Sequence, residues 1–148
     1  MKRSAFTLVE LLVVISIIGL LSTVAVVATN SSRNKARYAR TIADMEQIAK
    51  AVELQYSTTA GVYPADQSPG TFPPELAPYM AAWPKPACAN WYYDWQNWSS
   101  GNVIEISAAI PGVGYPFYYC IYAAPGYACS GLYEITSYAS KAITCSEM

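Results

Sequence analysis

Not one histidine occurs among the 148 residues, and charged side chains make up only 13% of the chain. The first absence removes the commonest general base and a principal zinc ligand. GxSxG elbows, phosphate-cradling glycine loops, HExxH and CxxC spacings are missing too, and no two carboxylates are marked by spacing for acid–base work. The sequence therefore offers no enzyme, metal site or cofactor. Positive charge is scarce in the distal part: beyond residue 51 only Lys85 and Lys141 face Glu53, Asp66, Glu75, Asp94, Glu105, Glu134 and Glu147. The other cations, Lys2, Arg3, Arg33, Lys35, Arg37, Arg40 and Lys50, all precede it. An acidic distal part speaks against a nucleic-acid partner.

Charge is scarcest between Phe6 and Ala28, where FTLVELLVVISIIGLLSTVAVVA carries one ionisable side chain, Glu10, in 23 residues. As a helix the run spans roughly 34 Å at ~1.5 Å per residue, enough for a hydrocarbon core of ~30 Å. A carboxylate there costs about 2.5 to 3.5 kcal/mol at the bilayer centre, less near one end, and is seldom kept without a partner. A cleaved signal peptide ending at Val26-Val27-Ala28 is the rival reading, but the run exceeds the usual apolar length of about 7 to 15 residues and contains an acid.

After Ala28 the sequence turns polar without a helix breaker until Gly61. Tyr38, Ile42, Met45, Ile48 or Ala49, Val52 and Tyr56 recur at steps of three and four, which predicts one continuous helix from Phe6 to about Thr58 whose second half has a single apolar stripe. Prolines 64, 69, 73, 74, 78, 84 and 86 then exclude a long helix or central strand, leaving a connector with one short turn near Glu75 to Met80. Alternation predicts strands at Trp91–Gln96, Ile104–Ile110, Tyr115–Ala123 and Leu132–Ser140, with turns at Ser99–Asn102 and Pro111–Gly114. The expected fold is α+β: a long N-terminal helix, membrane-embedded in its first half, packed on a small C-terminal antiparallel sheet. The parts are 1–5, 6–28, 29–60 and 61–148.

The four cysteines, Cys88, Cys120, Cys129 and Cys145, lie behind a membrane-directed N-terminus, and their even number predicts two disulfides in an oxidising compartment. Three pairings are open. We expect Cys120 with Cys129 across a turn, and Cys88 with Cys145. The aromatic load, 4 Trp and 13 Tyr, admits two uses. Trp91, Trp95 and Trp98 with Tyr92 and Tyr93 would form a stacking platform for sugars or nucleobases on an adhesive or DNA-binding subunit; the plainer use is core and subunit packing.

FTLVELLVVISIIGLL resembles the N-terminus of bacterial type IV pilins and type II secretion pseudopilins, as does the order of long helix, loop and small antiparallel sheet. The connector YSTTAGVYPADQSPGTFPPELAPYM with WPKPA is similar in composition to the loop of major pseudopilins. The resemblance implies that a prepilin peptidase removes Met1–Ala5, that Phe6 becomes an N-methylated first residue, and that Glu10 neutralises the N-terminal amine of an adjacent subunit. Gly19 falls at a family glycine that permits close helix approach. Ala5 stands where the family has glycine before the cut, and Val27 where many pilins carry a helix-bending proline. Implied partners are other copies, related pilins, the prepilin peptidase, an assembly platform and the membrane. Glu134 and Glu147 are too sparse for the calcium site of major pseudopilins, so no metal is expected.

The resemblance implies a structural subunit held single-pass in the cytoplasmic membrane with its C-terminal domain outside the cytoplasm, and later a cell-surface or periplasmic filament. A plain single-pass membrane protein is the alternative. The cluster Arg33, Lys35, Arg37 and Arg40 opposes this topology by the positive-inside rule. The cysteines and the leader outweigh it, which makes the cluster a solvated helix face or a contact for anionic lipid or acidic domains of neighbouring subunits. A reporter fused after Met148 should accordingly be active only outside the cytosol; activity confined to the cytosol would reverse the topology.

Overall fold

The computed structural model describes residues 7–98, 101–110, 112, 114–127, 131–134 and 142–145. One helix, α1, runs unbroken from Leu8 to Thr58, 51 residues or about 77 Å. It continues through Val27. Its end is set by backbone geometry: the Thr59 N–H donates to the Gln55 carbonyl at 3.0 Å, after which Ala60 at φ 58° and Gly61 at φ 82° turn the chain left-handed. Glycine meets that torsion without a Cβ penalty.

Four strands follow: β1 Tyr92–Trp98, β2 Val103–Ile110, β3 Gly114–Ala123 and β4 Gly131–Glu134. They form one antiparallel sheet in the order β1-β2-β3-β4, the meander expected from the alternation. Of the expected strand Leu132–Ser140, residues beyond Glu134 lie outside the described residues, as do Ser99 and Ser100 of the first turn. The short turn of the connector sits at Pro74–Leu76, slightly earlier than expected, because Pro74 supplies a preset φ at its first position.

Register decides which side of the sheet meets the helix. Tyr93 pairs with Ala108 and Trp95 with Ile106, and Ala108 in turn pairs with Phe117, so these five share one face; all are fully buried. They pack on Met45, Ile48, Ala49 and Val52 of α1, with Leu76 and Met80 of the connector closing the core. The helix stripe ends on buried Gln55, whereas Tyr56, expected to complete it, is 38% exposed. The Tyr56 ring instead stacks on Tyr63 across the turn, 4.3 Å between centroids.

The proline-rich connector is held by side chains of β1. Trp95 Nε1 donates to the Ala65 carbonyl at 3.1 Å, Asn97 Nδ2 to the Pro64 carbonyl at 2.7 Å, and the Asn97 N–H to Asp66 Oδ1 at 3.0 Å. Tyr93 reaches through the core and its hydroxyl donates to Asp44 Oδ2 at 2.8 Å, joining sheet to helix. At the opposite end, the Ile143 N–H donates to the Asn34 carbonyl at 2.9 Å and Cys145 is bonded to Cys88. The latter disulfide spans 57 residues of sequence. Replacing Cys88 and Cys145 together by serine should lower the stability of the domain by about 2 to 5 kcal/mol, read by tryptophan fluorescence during urea unfolding in detergent.

Candidate functional site

Thr7 has extended backbone angles, φ −81° and ψ 150°, and stands immediately before the first helical turn. Its hydroxyl accepts from the Glu10 N–H at 3.3 Å, while Glu10 Oε2 accepts from the Thr7 N–H at 2.8 Å and from the Thr7 hydroxyl at 2.7 Å. This is a capping box, in which two otherwise orphaned donors of a helix start are satisfied reciprocally. A negative charge in the first turn also complements the helix dipole. Glu10 is thus partnered within its own chain, although both bonds converge on Oε2 and Oε1 has no bond among the described residues. Thr7 was not singled out from the sequence; its signal is the T-x-x-E spacing of Thr7 and Glu10 ahead of an apolar run.

From Leu8 to Val27 every large apolar side chain is exposed, between 47% and 79% of its surface. The helix is long and apolar enough to cross a membrane. Gly19 lies on this stretch, and a Cβ built there would meet nothing within 4 Å among the described residues. Ala5 and Phe6 lie outside the described residues.

Residues 1–26 match the family model described as the prokaryotic N-terminal methylation motif. This motif is the prepilin-type leader of type IV pilins and pseudopilins. No curated protein and no solved structure matches the chain. The leader and the exposed apolar half-helix together fit membrane anchoring, and the packing of the long helix on a small antiparallel sheet is a pilin-like α+β arrangement.

The tryptophans expected as a ligand platform do not share a surface. Trp95 is fully buried against the helix and Trp91 is 6% exposed beside Phe117, their ring centroids 6.0 Å apart; Trp98 alone of the three reaches solvent, at 49%. Alternation along β1 places Trp95 and Trp98 on opposite faces, and the core claims the former. Of the cysteines, Cys88 and Cys145 are joined and Cys120 is disulfide-bonded; Cys129, expected as its partner, lies outside the described residues.

The sheet face turned away from α1 carries a second feature. Asp66, Gln67, Pro69, Asp94, Gln96 and Trp98 line an open groove of about 270 Å³. Asp94 is only 3% exposed; its Oδ2 accepts from Gln96 Nε2 at 3.1 Å, while its Oδ1 is buried without a hydrogen-bond partner. Ser107, directly opposite in the ladder, is fully buried with its hydroxyl likewise unpartnered. Burial pushes the Asp94 carboxyl above the usual carboxylate range, hydrogen bonding from Gln96 and Tyr115 opposes this, and the Asp66 charge adds to the rise. Burial also raises Glu105, one pair along the same face. Among the described residues no three acids or cysteines gather closely enough to hold a metal ion.

A carboxyl raised in the folded state binds its proton more tightly there than in the unfolded chain. Its favourable contribution is complete at low pH and is lost as pH climbs from the ordinary carboxylate value through the raised one. Asp94→Asn should therefore raise the thermal midpoint of the domain at pH 7, with the gain vanishing near pH 3; an unchanged or lowered midpoint at pH 7 would contradict the assigned burial cost.

Proposed function

We propose that this protein is a structural subunit, a pilin or pseudopilin, of a type IV pilus or type II secretion-like filament. The observation that carries the reading is the coincidence of the methylation motif with a helix half whose apolar side chains are all uncovered. Such a surface is stable in two places, lipid and a bundle of like helices, and a filament subunit occupies each in turn. Residues 6–28 serve as the storage and assembly segment, residues 29–60 tie the helix to the globular part, and residues 61–148 form the head outside the cytoplasm.

In this reading the prepilin peptidase cuts between Ala5 and Phe6, and Phe6 is then N-methylated. An assembly platform extracts the subunit, which packs on other copies and related pilins. Glu10 pairs across the interface with the amine of a neighbour's Phe6. Its capping bonds to Thr7 keep the carboxylate fixed near the helix start before assembly, and Oε1 remains for the incoming ammonium. An unpaired charge in an apolar setting costs several kcal/mol, so the pairing rewards one axial register over its neighbours. Gly19 supplies a small surface for close helix contact. The function is structural and needs no catalysis. The rival tryptophan-platform reading loses its support with Trp91 and Trp95 in the core.

Mass spectrometry of the mature chain is expected to begin at N-methylated Phe6; an N-terminus at Met1 or beyond Ala28 would overturn the reading. Glu10→Gln separates the two roles of the side chain, because an amide oxygen still accepts in a capping box but carries no charge. Filament incorporation should be lost in Glu10→Gln and Glu10→Ala alike while the head keeps its fold. Normal filaments from Glu10→Gln would reduce Glu10 to a helix cap.

A further inference from the structure

The groove on the outer face of β1 is an acidic site without a counter-ion. Asp66 and Asp94 line it, and neither makes an ion pair among the described residues, where the only one is Arg40 with Asp44. Asp94 presents a buried, unpartnered carboxylate oxygen, and Trp98 offers an exposed indole at the groove's rim. No group of three such acids gathers there among the described residues. Carboxylates with an aromatic face beside them suit a planar, extended cation, which can bridge two acids and stack on the ring at once.

The chain has such a cation to spare. Arg37 donates to Asn34 Oδ1 at 2.9 Å, and Arg40 donates to the Lys85 carbonyl at 2.9 Å and faces Asp44. Arg33 is exposed and makes no hydrogen bond or ion pair among the described residues. It cannot fill the groove of its own chain. The groove lies at the helix's far end, since Asp66 and Asn97 adjoin Tyr63, which stacks on Tyr56 in the last turns of α1. From Arg33 to Tyr56 is 23 residues, about 35 Å along the axis.

We infer that the groove formed by Asp66, Asp94, Gln96 and Trp98 receives Arg33 of a second copy of this chain. The contact rests on the filament reading and adds a head-to-stem pairing to it: a copy displaced by about 35 Å along the helix axis brings its Arg33 level with the groove. Pairing of this kind chiefly fixes register and orientation.

The test uses full-length chains in assembling cells. One tagged copy carries Arg33→Cys and a second, differently tagged, carries Gln96→Cys; oxidation is expected to give the mixed covalent dimer in the polymer fraction, and neither copy alone should give it. A second arm fills the groove from within. Gln96→Lys supplies Asp94 with a cation in its own chain, and should raise the thermal midpoint of the head while reducing sedimentable polymer on the order of tenfold, since it sets like charge against Arg33. Because the head becomes more stable, misfolding cannot explain the loss. Wild-type chains that never form polymer would overturn the filament reading and this contact with it. Polymer without the mixed dimer overturns the contact alone. Loss of polymer in Arg33→Glu, with no cross-link to position 96, assigns Arg33 to anionic lipid instead and also overturns it.

Discussion

A helix buries only what something else covers, and among the described residues nothing covers the first half of α1. Large apolar side chains from Leu8 to Val27 stand open on all sides, while the same helix from Thr41 to Gln55 is sealed against a sheet. Everything else in the molecule follows from that division. The head solves the ordinary problem of a small α+β domain, with a single-layer sheet whose inner face is closed by one helix. The stem keeps an apolar surface long enough to cross a membrane.

The stem and the core were legible in the sequence because both are periodic. The apolar run has no breaker, and the stripe through Met45, Ile48, Ala49 and Val52 repeats at helical spacing. The period failed only at its end, where Tyr56 leaves the stripe to stack on Tyr63, a partner brought in by the left-handed turn at Ala60 and Gly61. The sheet was legible from alternation, but alternation assigns residues to two faces without saying which face is the core. Alternation puts Trp95 and Trp98 on opposite faces, and docking of the helix decides which of the two is buried.

What stayed hidden depends on pairs distant in sequence. Asp94 and Ser107 meet only through strand register, so their shared lack of partners has no one-dimensional signature. Thr7 is the contrary case: its bond to Glu10 is local, and the T-x-x-E spacing that signals it stands in plain view in the sequence. Glu10 and Asp94 have something in common. Each is a carboxylate with one oxygen bonded locally and the other without a partner among the described residues, Glu10 exposed and Asp94 buried.

The head is fastened to the helix at two levels. Near Asn34 the C-terminal segment is held by the Ile143 backbone bond and by Asn34 Nδ2 donating to Thr144 Oγ1 at 3.2 Å, with the Cys88–Cys145 bridge behind it; at the far end the tyrosine stack and the pinned connector do the same. A pull along the helix axis therefore loads both fastenings in parallel, in shear, and cannot peel the sheet away from one end as a zipper opens. The covalent bridge also closes the chain from Cys88 to Cys145 into a ring, so tension entering at either cysteine passes across the bond and leaves the strands inside the ring unstretched. In mechanical terms the head is a plate pinned at two levels to a rod.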